Sequence, residues 1–263
     1  MGVIMAQYLY KDLDDDTILW RYMSLVKFLD ILATQKLNLC RLDGFEDKLE
    51  GSNDKLLSQI HARTKNNIFG ASYIDTVRRN YEIAKIKSYA LCMHANNYES
   101  AAMWKLYGNH GETIAIKTTV GKLKSSFVVD SQKLHFGAVV YEITEQEIKA
   151  IHDSYAQNTQ SIPISPLDPL FLKRASFKHE NEYRVIYSDV SNSFTSMPPL
   201  ESVDNLKKSQ RLIHKVDCDV NELIGEILIY PEAPTWVVNA INETIKKFGY
   251  NFCAKKSTLY DLM

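Results

Sequence analysis

A chain of 263 residues, 45% hydrophobic and 24% charged, is long enough to bury a core as one large domain or two small ones, and is neither a disordered nor a supercharged polymer. Its formal net charge of −1 argues against a broad electrostatic footprint for nucleic acid, while leaving room for a local basic patch. Four cysteines, Cys40, Cys92, Cys218 and Cys253, form no C-x-x-C pair and read as small core residues in a reducing compartment. Residues 1–10 lack the basic start and apolar run of a signal peptide. No apolar run approaches the roughly 20 residues that span a bilayer, so a cytoplasmic protein with no membrane partner is expected.

After the acidic residues Asp12, Asp14, Asp15 and Asp16, residues 18–23 read as a first strand. Ser24 then stands as N-cap of an amphipathic helix with Leu25, Phe28, Leu29 and Leu32 on one face. Residues 37–41 read as a second strand, followed by an acidic turn holding Glu46, Asp47 and Glu50. Residues 52–87 are polar and helical in texture, and look like a helical insertion on a sheet-based core. A strand over 89–94, a short helix over 98–107 ending at Gly108, and strands over 113–117 and 134–141 follow. Residues 144–155 read as a helix, and the proline-rich 161–169 as an extended loop. A strand starts at Glu182, a Ser/Pro-rich excursion covers 191–199, and residues 211–216 and 226–230 are further strands. Pro234 opens a last helix that runs to Lys247 and closes at Gly249. Strands and helices intermix without strict βαβ alternation, which predicts an α+β fold in a single domain.

The strand from Glu182 carries the densest chemistry. Period 2 puts Glu182, Arg184 and Ile186 on one face and Tyr183, Val185 and Tyr187 on the other. Glu180 and Glu182 form an E-x-E pair at the strand mouth, where one carboxylate can stabilise a developing cation while its neighbour orients a nucleophile. The plainer reading is a strand-end ion-pair set of Glu180, Glu182 and Arg184 with Lys178. Arg21 interrupts an otherwise apolar strand, a place that asks for a carboxylate or phosphate partner unless the residue faces solvent. Glu46, Asp47 and Glu50 offer oxygen ligands for Mg²⁺ or Mn²⁺, or else belong to a turn that orders the substrate or caps the next helix. His94, His110 and His179 lie near these segments. Trp104 and Tyr107, at i and i+3, share a helix face that serves either a core or, with Tyr22, a flat ring. G-x-G-x-x-G, G-x-x-x-x-G-K-[ST], H-E-x-x-H and G-x-S-x-G do not occur, which removes most of the weight from Rossmann, P-loop, zincin and α/β-hydrolase readings.

The blocks W-R-Y-M-S (20–24), F-E-D-x-x-E-G (45–51), A-M-W-K-L-Y-G (102–108), F-x-x-E-x-E-x-R (177–184) and Y-P-E-A (230–233) resemble an uncharacterised bacterial family of unknown function. More distantly, their order is similar to that of the ADP-ribosyltransferase superfamily. That resemblance implies a split β-sheet ADP-ribosyltransferase-like core and NAD as cofactor. It implies Glu182 as catalytic carboxylate and Glu180 as its E-x-E companion. Arg21 would anchor NAD, with Tyr22, Ser24, Trp104 and Tyr107 completing the cofactor-binding set. The superfamily's second motif supplies Ser or Tyr where this chain has Cys92-Met93-His94, and Tyr107 is the nearest substitute. The resemblance further implies a bacterial toxin or phage-defence effector, acting on a macromolecular acceptor and held by an antitoxin or inhibitor protein. RNA or DNA is favoured over protein as acceptor, because Arg78, Arg79, Lys85, Lys87, Lys173, Arg174 and Lys178 would line a track. The rival readings are a metal-dependent nuclease using Glu46, Asp47, Glu50, Glu180 and Glu182, and a non-catalytic NAD-sensing module.

Overall fold

The computed structural model of the chain describes residues 10–47, 50, 71–107, 112–128, 133–144, 146, 167–189 and 203–261. Among these, nine strands join one sheet: β1 (Ile18–Ser24), β2 (Lys36–Arg41), β3 (Ser88–Ala95), β4 (Thr113–Thr119), β5 (Leu134–Ala138), β6 (Glu182–Ser188), β7 (Ile213–Asp217), β8 (Glu226–Ile229) and β9 (Ala254–Lys256). The main path runs β5-β6-β3-β1-β4-β8-β9, with β2 branching from β3 to pair β7. Every pairing is antiparallel except β8 with β9. Seven helices accompany these strands among the described residues: α1 (Leu25–Thr34), α2 (Ala71–Ile86), α3 (Ala101–Tyr107), α4 (Val120–Ser126), α5 (Val203–Ser209), α6 (Val220–Leu223) and α7 (Thr235–Lys247). The class is α+β, as the unpatterned mixture of periods predicts.

Local chemistry accounts for most boundaries. α1 buries Phe28, Ile31 and Leu32, a stripe at helical spacing. Its N-cap is Ser24, although the serine side chain makes no capping bond. α7 starts after Pro234 and stops before Gly249, whose φ of +86° lies in the left-handed region where a Cβ is penalised. The short α4 and α6 show too little period to be read from sequence. Their caps are visible: Thr119 accepts from Lys122 N, and Asp219 from Asn221 N and Glu222 N.

One core cluster gathers Leu19, Leu39, Leu91, Trp104, Ile116, Val185 and Ile227. A second, on the other side of β3 and β6, contains Ala90, Leu170, Phe171 and Ile186. β6 is therefore buried on both faces, and its charged residues lie inside the protein, not at a solvated strand end. Of the four cysteines only Cys218 is buried; Cys40 and Cys253 are exposed and Cys92 is half-buried, which corrects the expectation of four core thiols. Of the insertion expected over 52–87, the last part is α2, while residues 51–70 lie outside the described residues. So do Gly108, His110, most of 144–155, residues 161–166 and the excursion at 191–199. No helix among the described residues is long and apolar enough to cross a membrane.

Candidate active site

β3 holds β6 along one edge, from Ser88–Ser188 to His94–Glu182. Its other edge is divided. β1 pairs it at Leu19–Ala95 and Trp20–His94, and β2 pairs it at Cys40–Ala90 and Arg41–Tyr89. Among the described residues no strand pairs β3 between those two contacts, so the sheet is split there. A cavity of about 350 Å³ opens at the split. Residues 20–23 of β1 and 90–94 of β3 line it consecutively. A pocket on one face of a sheet touches alternate residues; consecutive ones mean that this cavity enters between strand edges. That geometry reconciles the register with the lining. The rungs Trp20–His94 and His94–Glu182 put those three side chains on one face, and Arg21 alternates away from them, yet both Arg21 and Glu182 reach the cavity.

Arg21 spans the gap between β1 and β2. Its Nη2 donates to Asn38 O at 3.4 Å, and its Nη1 is shielded from solvent with no hydrogen-bond partner among the described residues. Among the described residues no carboxylate pairs with it. Burial lowers its pKa to about 10, against weaker opposing contributions from Cys92 and Cys40. A guanidinium with an unused donor in a concave site is a receptor for an anion, most naturally one that accepts two parallel hydrogen bonds. Lys27, exposed in the first turn of α1, lines the same cavity.

The opposite wall is a cluster of five charged side chains. Arg184, fully buried, donates from Nε to Glu182 Oε1 at 2.6 Å and from Nη2 to Glu182 Oε2 at 3.0 Å. Its Nη2 also donates to Glu50, and its Nη1 to Leu170 O. Lys173 places Nζ 2.7 Å from Glu180, 3.3 Å from Glu182 and 3.8 Å from Glu50. Burial alone would raise the Glu182 pKa, but the charge and hydrogen bonds of Arg184, with Lys173, hold it down to about 2. Glu50 goes the other way, because burial raises its pKa against the pull of Arg184 and Lys173. The backbone is fixed too. Glu182 N donates to Tyr141 Oη at 2.8 Å, and His94 Nδ1 donates to Glu180 O.

Glu180, Glu182, Arg21, Tyr22 and Tyr107 all line the cavity. Tyr107 is half-exposed overall, while burial of its phenol end pushes the hydroxyl pKa up. Two expected members do not reach it. Trp104 is wholly buried, donates from Nε1 to Glu99 at 3.0 Å and packs edge-on behind Tyr22 with ring centres 5.0 Å apart. It supports the cavity wall from the core side. Ser24 sits at the end of β1 and is not part of the lining. Arg21 and Glu182 do not pair, and the strand-end partner is Lys173 in place of the exposed Lys178, because the 3-10 turn Ala175–Glu180 carries Lys178 outward.

Lys173 also leaves the proposed basic track, since its side chain is only 7% exposed, and Arg174 pairs with Asp47 at 2.9 Å. Sequence reasoning placed Lys173 on that track and missed its pairing with Glu180 and Glu182, as it missed that of Glu50 with Arg184. The one signal was the apolar setting of Arg184 in β6, which requires a buried anion. Of the five carboxylates named for the metal reading, Glu50, Glu180 and Glu182 stand around Lys173 Nζ. No group of three His, Cys, Asp or Glu side chains arranged to hold a metal occurs among the described residues.

The sequence model of a family described as "Protein of unknown function (DUF2971)" matches residues 103–185. That stretch covers residues 103–108 of the aromatic block and the whole block at 177–184, two of those that carry the resemblance to an uncharacterised family. No curated protein matches the chain. Among solved structures, DarT of Thermus sp. 2.9 in complex with ADP-ribosylated ssDNA is similar at a TM-score of 0.38 and 8% identity, over 94% of this chain and 96% of that one.

Proposed function

We propose that this protein is an ADP-ribosyltransferase that moves ADP-ribose from NAD⁺ to a macromolecular acceptor. The observation that carries the reading is the charge layout of the cavity. On the β1–α1 side stand Lys27 and Arg21, whose Nη1 has no partner among the described residues. On the other side stand Glu180 and Glu182 with Lys173, and the turn after β2 adds Glu46, Asp47 and Glu50, so the carboxylates lining that side outnumber the cations. NAD⁺ has the complementary layout, an anionic pyrophosphate and a cationic nicotinamide riboside. The block order of the sequence supports the same assignment.

In this reading Arg21 binds the pyrophosphate and fixes the substrate against the split. Tyr107 and Tyr22 offer ring faces or edges at the rim and floor. As the glycosidic bond of the nicotinamide riboside breaks, positive charge builds on the ribose, and an ionised carboxylate beside it lowers the barrier. Glu182 suits that task because Arg184 and Lys173 keep it ionised and aimed. Glu180, 17% exposed at the side chain, orients the incoming acceptor.

The test is incubation of the purified protein and its Glu182→Gln variant with labelled NAD⁺ and separate pools of RNA, DNA and protein. Label in one pool, with the parent protein alone and undiminished by chelator, is the expected result and names the acceptor class. Absence of label and of nicotinamide release with every pool overturns the reading.

A further inference from the structure

The acidic turn that follows β2 contributes to the charge layout of the cavity but has been given no step in the reaction. Glu46, Asp47 and Glu50 of this turn all belong to the lining, and Glu50 is only 4% exposed. The charged and titratable groups that bear on it come from four elements. They are Arg184 and Glu182 of β6, Lys173 of the segment before β6, Cys92 of β3 and Lys85 of α2. Asp47 lies on its own turn.

The two buried carboxylates, Glu50 and Glu182, are compensated unequally. Arg184 gives Glu182 two hydrogen bonds from Nε and Nη2, and gives Glu50 one from Nη2. Lys173 Nζ stands 3.3 Å from Glu182 but 3.8 Å from Glu50 Oε2. The same burial therefore leaves Glu50 with the least stabilised charge. Where two carboxyl groups in one site are pushed in opposite directions, the more strongly compensated one serves as the fixed anion and the other carries the proton. Glu182, held to about 2, is far too weak a base to take a proton near neutrality.

We propose that Glu50 is the proton acceptor of this site, an assignment that rests on the ADP-ribosyl transfer reading. The bond between the ribose C1′ and the nicotinamide nitrogen breaks with its electron pair going to nicotinamide. A lone pair of the acceptor forms the new bond to C1′. The proton of that acceptor atom passes to Oε2 of Glu50, and from there to solvent through the cavity mouth. Glu182 stays ionised throughout, and Glu180 orients the acceptor without taking the proton.

The experiment compares the full-length parent with Glu50→Gln and Glu50→Asp, recording nicotinamide release and acceptor labelling from pH 5 to 9 together with NAD⁺ affinity. Loss of one general base lowers a rate by about 10²-fold or more. Glu50→Gln is expected to bind NAD⁺ within about threefold of the parent, to lose that rate, and to lose the acid limb of the pH profile. Glu50→Asp, which keeps a carboxyl group, is expected to restore the acid limb at a reduced rate. Identical profiles for the two variants mark a structural role and overturn the proposal, as does a Glu50→Gln rate near that of the parent. An infrared titration without NAD⁺ is the second measurement: the parent should show one carboxyl group protonating above the usual range, missing in Glu50→Gln, and its absence also overturns the proposal. If the parent itself releases no nicotinamide, the transferase reading falls and takes this role with it. Release by the parent with an unaltered Glu50→Gln profile sinks the Glu50 assignment alone.

Discussion

Arg21 and Glu182 line one cavity from opposite sides of the split and are committed to different degrees. Glu182 has both oxygens engaged by Arg184 and one also by Lys173. Arg21 has an Nη1 with no partner among the described residues. A buried charge already paired is structural as well as chemical, whereas a buried charge left open is held at a cost and is better explained by what it binds.

Arg21→Met should separate those two roles. Removing an unsatisfied buried donor relieves its desolvation penalty, about 1–3 kcal/mol for such a group, so thermal unfolding is expected at or above the parent temperature. NAD⁺ affinity is expected to fall about 100-fold, or about 2.7 kcal/mol, by calorimetric titration. A variant less stable than the parent with unchanged affinity contradicts the assignment.

Glu182→Ala and Glu182→Gln should both abolish nicotinamide release but differ in stability. Alanine leaves Arg184 and Lys173 short of a buried anion, a change that costs about 3–5 kcal/mol. Glutamine keeps the volume and one acceptor oxygen, so its urea midpoint is expected between those of the alanine variant and the parent.

Acid should weaken the fold in a defined window. Glu182 has a folded pKa of about 2 against an ordinary 4.5, so its contribution is complete above 4.5. It is lost as pH falls from there through 2. Urea midpoints measured from pH 7 to pH 2 should fall more steeply over that interval for the parent than for Glu182→Gln. Parallel curves would remove Glu182 as the cause.

Trp104→Phe should destabilise the protein without weakening NAD⁺ binding. The change removes buried volume and the bond to Glu99, which together cost about 1–3 kcal/mol, while Tyr22 still lines the cavity. A loss of affinity beyond about threefold, with little change in stability, would return Trp104 to the binding set.

The frame of the site was readable because it depends on local patterns. Arg21 stood out as a charge in an apolar strand, and Glu182 as the first residue of a period-2 run. Trp104 and Tyr107 illustrate the limit of periodicity. Spacing of i and i+3 puts them on one side of α3, but the helix is seven residues long, and one of them points into the core while the other reaches the rim. Glu50 was not assignable, since its pairing with Arg184 is made by tertiary packing across segments far apart in sequence, and Lys173, though near Glu182 in sequence, meets it through an irregular 3-10 turn with no period to read. No spacing rule encodes that. The acidic turn likewise announced its carboxylates but not the two cations, Lys173 and Arg184, that stand beside Glu50.

The division of the β3 edge also has a mechanical meaning. β1, β4, β8 and β9 form a subsheet that meets β3 through two residue pairs, Leu19–Ala95 and Trp20–His94, while β6 grips β3 through seven. Amide exchange should therefore open the β1–β3 seam at lower free energy than the β3–β6 ladder. A molecule lodged between the two halves acts as a keystone, and bound protein should resist pulling, proteolysis and exchange at that seam more than anywhere else.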